Sequence, residues 1–285
     1  MKRVLISKSI KQFQTISFIL MIIFIVSCTE KSISTDSVKL NNKDKGSSIT
    51  SYSFDPSNTN NQYDSTGIYH NLGLENIISH RDILSCVDTI FMGQVCSYTS
   101  GWIITFASYG HDSTWWYNWS KSFYDNVDNL TTTQIINNYG TSSTVKNSAL
   151  SLQGIILSFS DSSHPEILIA QIKSWETDVI NSNMTSFEKQ QLLRYSSVAR
   201  YSFAYWYEEF GKGSGTPWNL PCGSMIQSFK SQNIQGFWDV FVKVVKCVVG
   251  DAAGALAGTV VAPEAPIAGG VVGAVVVTAA VVATL

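Results

Sequence analysis

The feature that most restricts this chain is the spacing of glycines near its C-terminus. Gly250, Gly254 and Gly258 are four apart, as are Gly269 and Gly273. On a helix each set forms a smooth strip along one face, which lets a second backbone approach closely. Pro263-Glu264-Ala265-Pro266 separates the two sets. A proline cannot continue a helix, so this tetrapeptide breaks the run and allows its arms to fold back on each other. The spacing therefore predicts a Gly/Ala/Val-rich helical hairpin over 237–285.

What that hairpin rests against is open at this point. Ile267 to Leu285 carries no charged side chain, and at 1.5 Å per residue such a stretch reaches roughly 28 Å, close to the thickness of a bilayer core. The first arm argues otherwise. It contains Lys243, Lys246 and Asp251, and a buried aspartate costs roughly 3 kcal/mol at a bilayer centre. Gly, Ala and Thr add little transfer energy. Three readings follow. The favoured one is a glycine-zipper pair packed on or in a helical body, with a helix as its partner. The second is a membrane-inserting hairpin, which resembles those of colicin-like and bacteriocin-like pore-forming toxins. The third is an envelope hydrolase in which the tail is incidental.

The other end of the chain reads as an address. Lys2, Arg3, Lys8 and Lys11 precede an apolar run, Thr15 to Val26. Its length suits the core of a signal peptide better than a membrane span. It leads into Ile25-Val26-Ser27-Cys28, which resembles the lipobox of bacterial lipoproteins, with Ile in place of the more usual Leu at its first position. The resemblance implies removal of residues 1–27, acylation of Cys28, and a membrane partner reached through those acyl chains. Several acyl chains together anchor stably where one does not. The expected location is the cell envelope, at the outer membrane. Thr29 to Thr66 is rich in Ser, Asn, Asp and Lys, so 28–66 is expected to be a disordered tether. A flexible chain of that length reaches roughly 35 Å root-mean-square.

Between tether and hairpin, 67–236 is expected to form an irregular helical globule, and the protein to be mainly α. Ile68, Leu72, Leu74, Ile77 and Ile78 recur at helical spacing. The stretch 82–106 is apolar and suits either helix or strand. Asp112 or Ser113 is placed to cap a helix, and Pro165 to open one whose stripe is Leu168, Ile172, Trp175 and Val179. Thr185 and Glu188 have capping-box spacing. Trp115, Trp119 and Phe123, at i, i+4 and i+8, read as a core stripe. So does the group Tyr195, Tyr201, Tyr205, Trp206 and Tyr207, with Arg194 and Arg200 covering it.

Composition excludes one class of function. Without the four N-terminal bases, 15 basic residues face 21 acidic ones, and a mildly acidic body is the wrong footprint for nucleic acid. The 14% charged content is low for a globular protein, as suits an exported one. Export makes disulfides feasible among Cys86, Cys96, Cys222 and Cys247, with Cys86–Cys96 the simplest pairing and Cys247 a candidate buried thiol.

No chemistry announces itself. The histidines are His70, His80, His111 and His164, and no HExxH, GxSxG, P-loop or GxGxxG motif occurs, so no catalytic, cofactor or metal residue is assigned. His70 and Asn71 are expected to satisfy the start of a helix, and Glu208-Glu209 to face solvent. The phrases "YHNLGLENI" and "SSVARYSFAYW" resemble stretches of exported proteins from Bacteroidetes-type bacteria that carry no assigned activity. The expected role is a lipid-anchored binding or interaction module.

Overall fold

A computed structural model describes residues 52–80, 84, 88–107, 109–160, 164–211 and 237–284. Cys28, Cys86, Cys222, the signal segment and tether residues 28–51 lie outside them. The described residues are mainly α, with nine helices and no strand among them. We number these α1 (Ser65–Ile78), α2 (Asp88–Ala107), α3 (Ser113–Val127), α4 (Thr132–Tyr139), α5 (Ser143–Ser158), α6 (Pro165–Asn181), α7 (Ser186–Gly211), α8 (Phe237–Val261) and α9 (Pro266–Thr284).

The C-terminal hairpin is α8 and α9, and most of the other described helices pack around it. Cys247 to Thr259 and Ala268 to Ala279 are buried without interruption. A helix apolar all round belongs in a core. The helices α7, α4 and α5 pack on α8, while α1, α2 and α3 pack on α9. A Cβ on Gly254 would collide with the backbone of Gly273, and one on Gly258 with that of Gly269. The opposed glycines thus bring the two backbones into direct contact. Gly250 differs: its missing Cβ would meet a valine methyl, Val281 Cγ2, at 2.8 Å. The zipper is glycine-on-glycine near the turn and glycine-on-valine at its open end.

Local signals place most of the surrounding helices. Asp112 Oδ1 accepts from the Trp115 amide at 2.8 Å, capping α3. Replacing Asp112 with alanine is expected to cost about 1 kcal/mol, read as a lower urea midpoint with an unchanged slope. Thr185 and Glu188 form their capping box, with the Thr185 amide donating to Glu188 Oε2 at 2.9 Å and the Glu188 amide to Thr185 Oγ1 at 3.3 Å. Pro165 opens α6, and Leu168, Ile169, Ile172, Trp175 and Val179 are all buried. The ambiguous stretch after residue 82 is helical in α2. Its buried positions, Phe91, Met92, Val95, Cys96, Thr99, Ser100 and Ile103, recur with helical period.

Several expectations shift. The inward face of α3 is Trp116, Ser120, Phe123 and Val127, one position round from the Trp115–Trp119 stripe. The small Ser120 faces α2, and His111 lies flat on the Trp115 ring, with centroids 3.7 Å apart. Cys96 is a free, buried thiol and not half of a Cys86–Cys96 disulfide; it sits against Ser120 in the α2–α3 contact. Cys247 is also free and buried. Residues 52–66, which composition puts in the tether, are bound to the body: Asn58, Asn61 and Thr66 are buried. Asn58 and Asn61 are held by hydrogen bonds to Glu176, and Tyr52, Phe54 and Tyr63 pack against the core, with Phe54 on the rings of Phe203 and Tyr207.

Candidate functional site

Among the described residues two buried polar clusters stand out, and α7 contributes to both. From Gln190 to Trp206 every residue of that helix is buried, although seven of them are Gln, Arg or Ser. Such a helix is stable only where its polar groups are bonded. Gln191 binds three neighbours. Its Oε1 accepts from Thr141 Oγ1 at 2.9 Å, and its Nε2 donates to the carbonyls of Tyr139 at 3.1 Å and Leu256 at 3.3 Å.

The first cluster is built on Arg200. Its guanidinium is fully buried and donates to the carbonyl of Pro56, to Asp64 Oδ1 and, from Nε at 3.2 Å and Nη2 at 3.1 Å, to Glu176 Oε1. Glu176 is also fully buried. It accepts from Asn58 Nδ2 at 2.6 Å, Asn61 Nδ2 at 2.7 Å and Ser196 Oγ at 2.7 Å. The Tyr201 hydroxyl donates to Asp64 Oδ2 at 3.0 Å. Burial and the adjacent Asp64 charge hold that phenol far above its ordinary range. Two carboxylates and one guanidinium thus tie residues 52–64, here called the strap, to α6 and α7. Gly67 completes the junction, since a Cβ there would press on Ser197 and Tyr201 of α7.

The second cluster joins α1, α7, α8 and α9. Asp251, fully buried, accepts at Oδ2 from Ser202 Oγ at 2.5 Å and Trp206 Nε1 at 2.9 Å, and at Oδ1 from Thr278 Oγ1. His70 Nε2 lies 3.5 Å from Asp251 Oδ2. On the far side of the ring, His70 Nδ1 is 2.9 Å from Asn71 Oδ1. The Asn71 amide nitrogen donates to the Tyr201 carbonyl at 2.8 Å and to the Tyr52 hydroxyl at 2.6 Å. Burial pushes the His70 imidazole below the usual histidine range and the Asp251 carboxyl above the usual carboxylate range. Burial, then the Asp251 charge, also pushes the nearby Cys247 thiol well up.

Sequence reading found the glycines but not these clusters. His70 lies within α1 and is not at its start, and Glu209 is buried where solvent exposure was expected. His111 and Asp112 do not meet His70: one stacks on Trp115, the other caps α3. Among the described residues no three His, Cys, Asp or Glu side chains converge as a metal-binding set. No protein-family model matches the chain, and neither a curated protein nor a solved structure matches it.

Proposed function

We propose that this is a lipid-anchored helical interaction module of the bacterial cell envelope, with its glycine hairpin serving as the core of the fold. The burial of that hairpin carries the reading. The helical stretch Val242–Val261 is long and apolar enough to cross a bilayer, with a mean hydropathy of 1.6, yet 83% of it is buried inside the protein. A helix already covered by α4, α5 and α7 has its apolar surface satisfied without lipid. Its one buried acid, Asp251, is bonded to side chains of three other helices.

Anchoring follows from the lipobox-like Ile25-Val26-Ser27-Cys28 and the basic, apolar segment before it. The titratable groups first in line for catalysis support a binding role, because His70, Asp251, Arg200 and Glu176 all hold helices together from buried positions. Two measurements test the proposal. Radiolabelled fatty acid should enter the wild-type protein and not Cys28→Ala; equal labelling of both removes the anchor. Protein lacking residues 1–28 should leave dye-loaded liposomes intact. Rapid dye release would support the pore-forming reading instead.

A further inference from the structure

We propose that His70 and Asp251 hold a single proton between them in the core, and that this proton latches α9 and α8 to α1. The argument starts from Asn71. The Tyr201 carbonyl can only accept, so the Asn71 atom 2.8 Å from it is the amide nitrogen, and Asn71 Oδ1 is left facing His70 Nδ1. His70 must therefore carry a hydrogen on Nδ1. A neutral imidazole then presents a bare lone pair at Nε2. That lone pair points at Asp251 Oδ2, 3.5 Å away. Thr278 Oγ1 also lies 3.5 Å from Nε2, but its one hydrogen is directed to Asp251 Oδ1 or the Ala274 carbonyl, so toward the imidazole it too presents only a lone pair. Two bare acceptors facing each other without solvent repel, so one proton resides in the gap, on Nε2 or on Oδ2. Either way the pair is net neutral, as a buried site demands.

The groups bonded to the pair are neutral, and the cations nearby on α8 are Lys243 and Lys246, which act on the Cys247 thiol and pull it down. The strap contributes the Tyr52 phenol by way of Asn71, α7 the neutral Ser202 and Trp206, α8 the Cys247 thiol one turn before Asp251, and α9 only Thr278. Opening the hairpin exposes both partners to water, where histidine titrates at about 6.5 and aspartate at about 3.9. Between those values the open form also holds one proton, on the imidazole, and opening is independent of pH. Above about 6.5 the open form sheds its proton while the closed pair retains it. Opening then becomes roughly tenfold easier per pH unit.

Cys247 is a built-in reporter, being buried, free and one turn from Asp251. The full chain is labelled with iodoacetamide and each cysteine quantified by peptide mass mapping. Cys96, a second free buried thiol on α2, serves as the reference that removes intrinsic thiol reactivity. The Cys247-to-Cys96 ratio should stay level from about pH 5 to 6.5 and rise roughly tenfold per unit from about 7 to 9. In Asp251→Asn, which keeps the shape and leaves His70 as the only titrating member of the pair, the ratio should be level from about pH 7 to 9 and rise only below about 6.5, where the opened imidazole takes up a proton. A level ratio in the wild type, or an undiminished rise in the variant, overturns the latch. If the variant does not fold, the nitrogen-15 shifts of His70 and the carbon-13 carboxyl shift of Asp251 in the wild type at about pH 8 decide: an imidazolium or a protonated carboxyl supports the proposal, and a neutral imidazole beside a carboxylate removes it.

Discussion

Gly258→Val should unfold the protein or cost at least about 4 kcal/mol, a large share of the 5–15 kcal/mol that holds a typical domain together. Ordinary overpacking of a core costs about 1–3 kcal/mol, because side chains shift to make room. Here the obstacle is backbone. A Cβ on Gly258 would lie within contact distance of the Gly269 carbonyl, and Gly254 stands in the same relation to Gly273. Relief requires the helices to separate, and both are sheathed by other helices from Cys247 to Thr259 and from Ala268 to Ala279. Gly254→Leu should behave in the same way. Gly101 and Gly154 provide the contrast, since each lies in a helix with open space where a Cβ would go. Gly101→Ala and Gly154→Ala should stabilise by about 0.5–1 kcal/mol through helix propensity alone. Urea denaturation followed by far-ultraviolet circular dichroism reads all four. A Gly258→Val protein with the parental midpoint would show that the hairpin is not held by backbone contact.

This difference in sign between glycines marks what the sequence can convey. A glycine that serves close packing repeats at helical spacing within one element, and 250, 254, 258, 269 and 273 do so; the hairpin, its break at Pro263 and the mainly α class were legible for that reason. Gly67 has no such repeat, and its partner on α7 is 130 positions away in the chain, so its tight contact with Ser197 is invisible until the fold is known. The same holds for both polar clusters. Asn58, Asn61, Glu176, Ser196 and Arg200 look like surface residues one at a time, and only the fold places them within 3 Å or so of one another. Hydrophobic patterning reports burial by apolar area, so it misread α7, whose inward groups include arginines, glutamines and serines, and it assigned residues 52–66 to a tether. It misplaced the α3 stripe for a related reason. Three aromatic residues outweigh one serine in any apolar count, yet the small serine is what permits α2 to approach.

Arg200→Met should be nearly as damaging, at about 3–5 kcal/mol, because it leaves the fully buried Glu176 carboxylate uncompensated and the partly exposed Asp64 without its partner. Arg200 is the one cation that bonds Glu176 and Asp64 in this cluster, and the neutral donors Asn58, Asn61 and Ser196 remain on Glu176 without balancing its charge. Arg200→Lys should recover little. One ammonium cannot reach the Pro56 carbonyl, Asp64 and Glu176 together as the planar fork does. Because Pro56, Asn58, Asn61 and Asp64 all belong to the strap, its release should precede global unfolding in this variant. Limited proteolysis should cut first within residues 52–64 while α8 and α9 stay protected. Simultaneous cleavage of strap and hairpin would mean that Arg200 supports the whole core and does not specifically fasten the strap to α6 and α7.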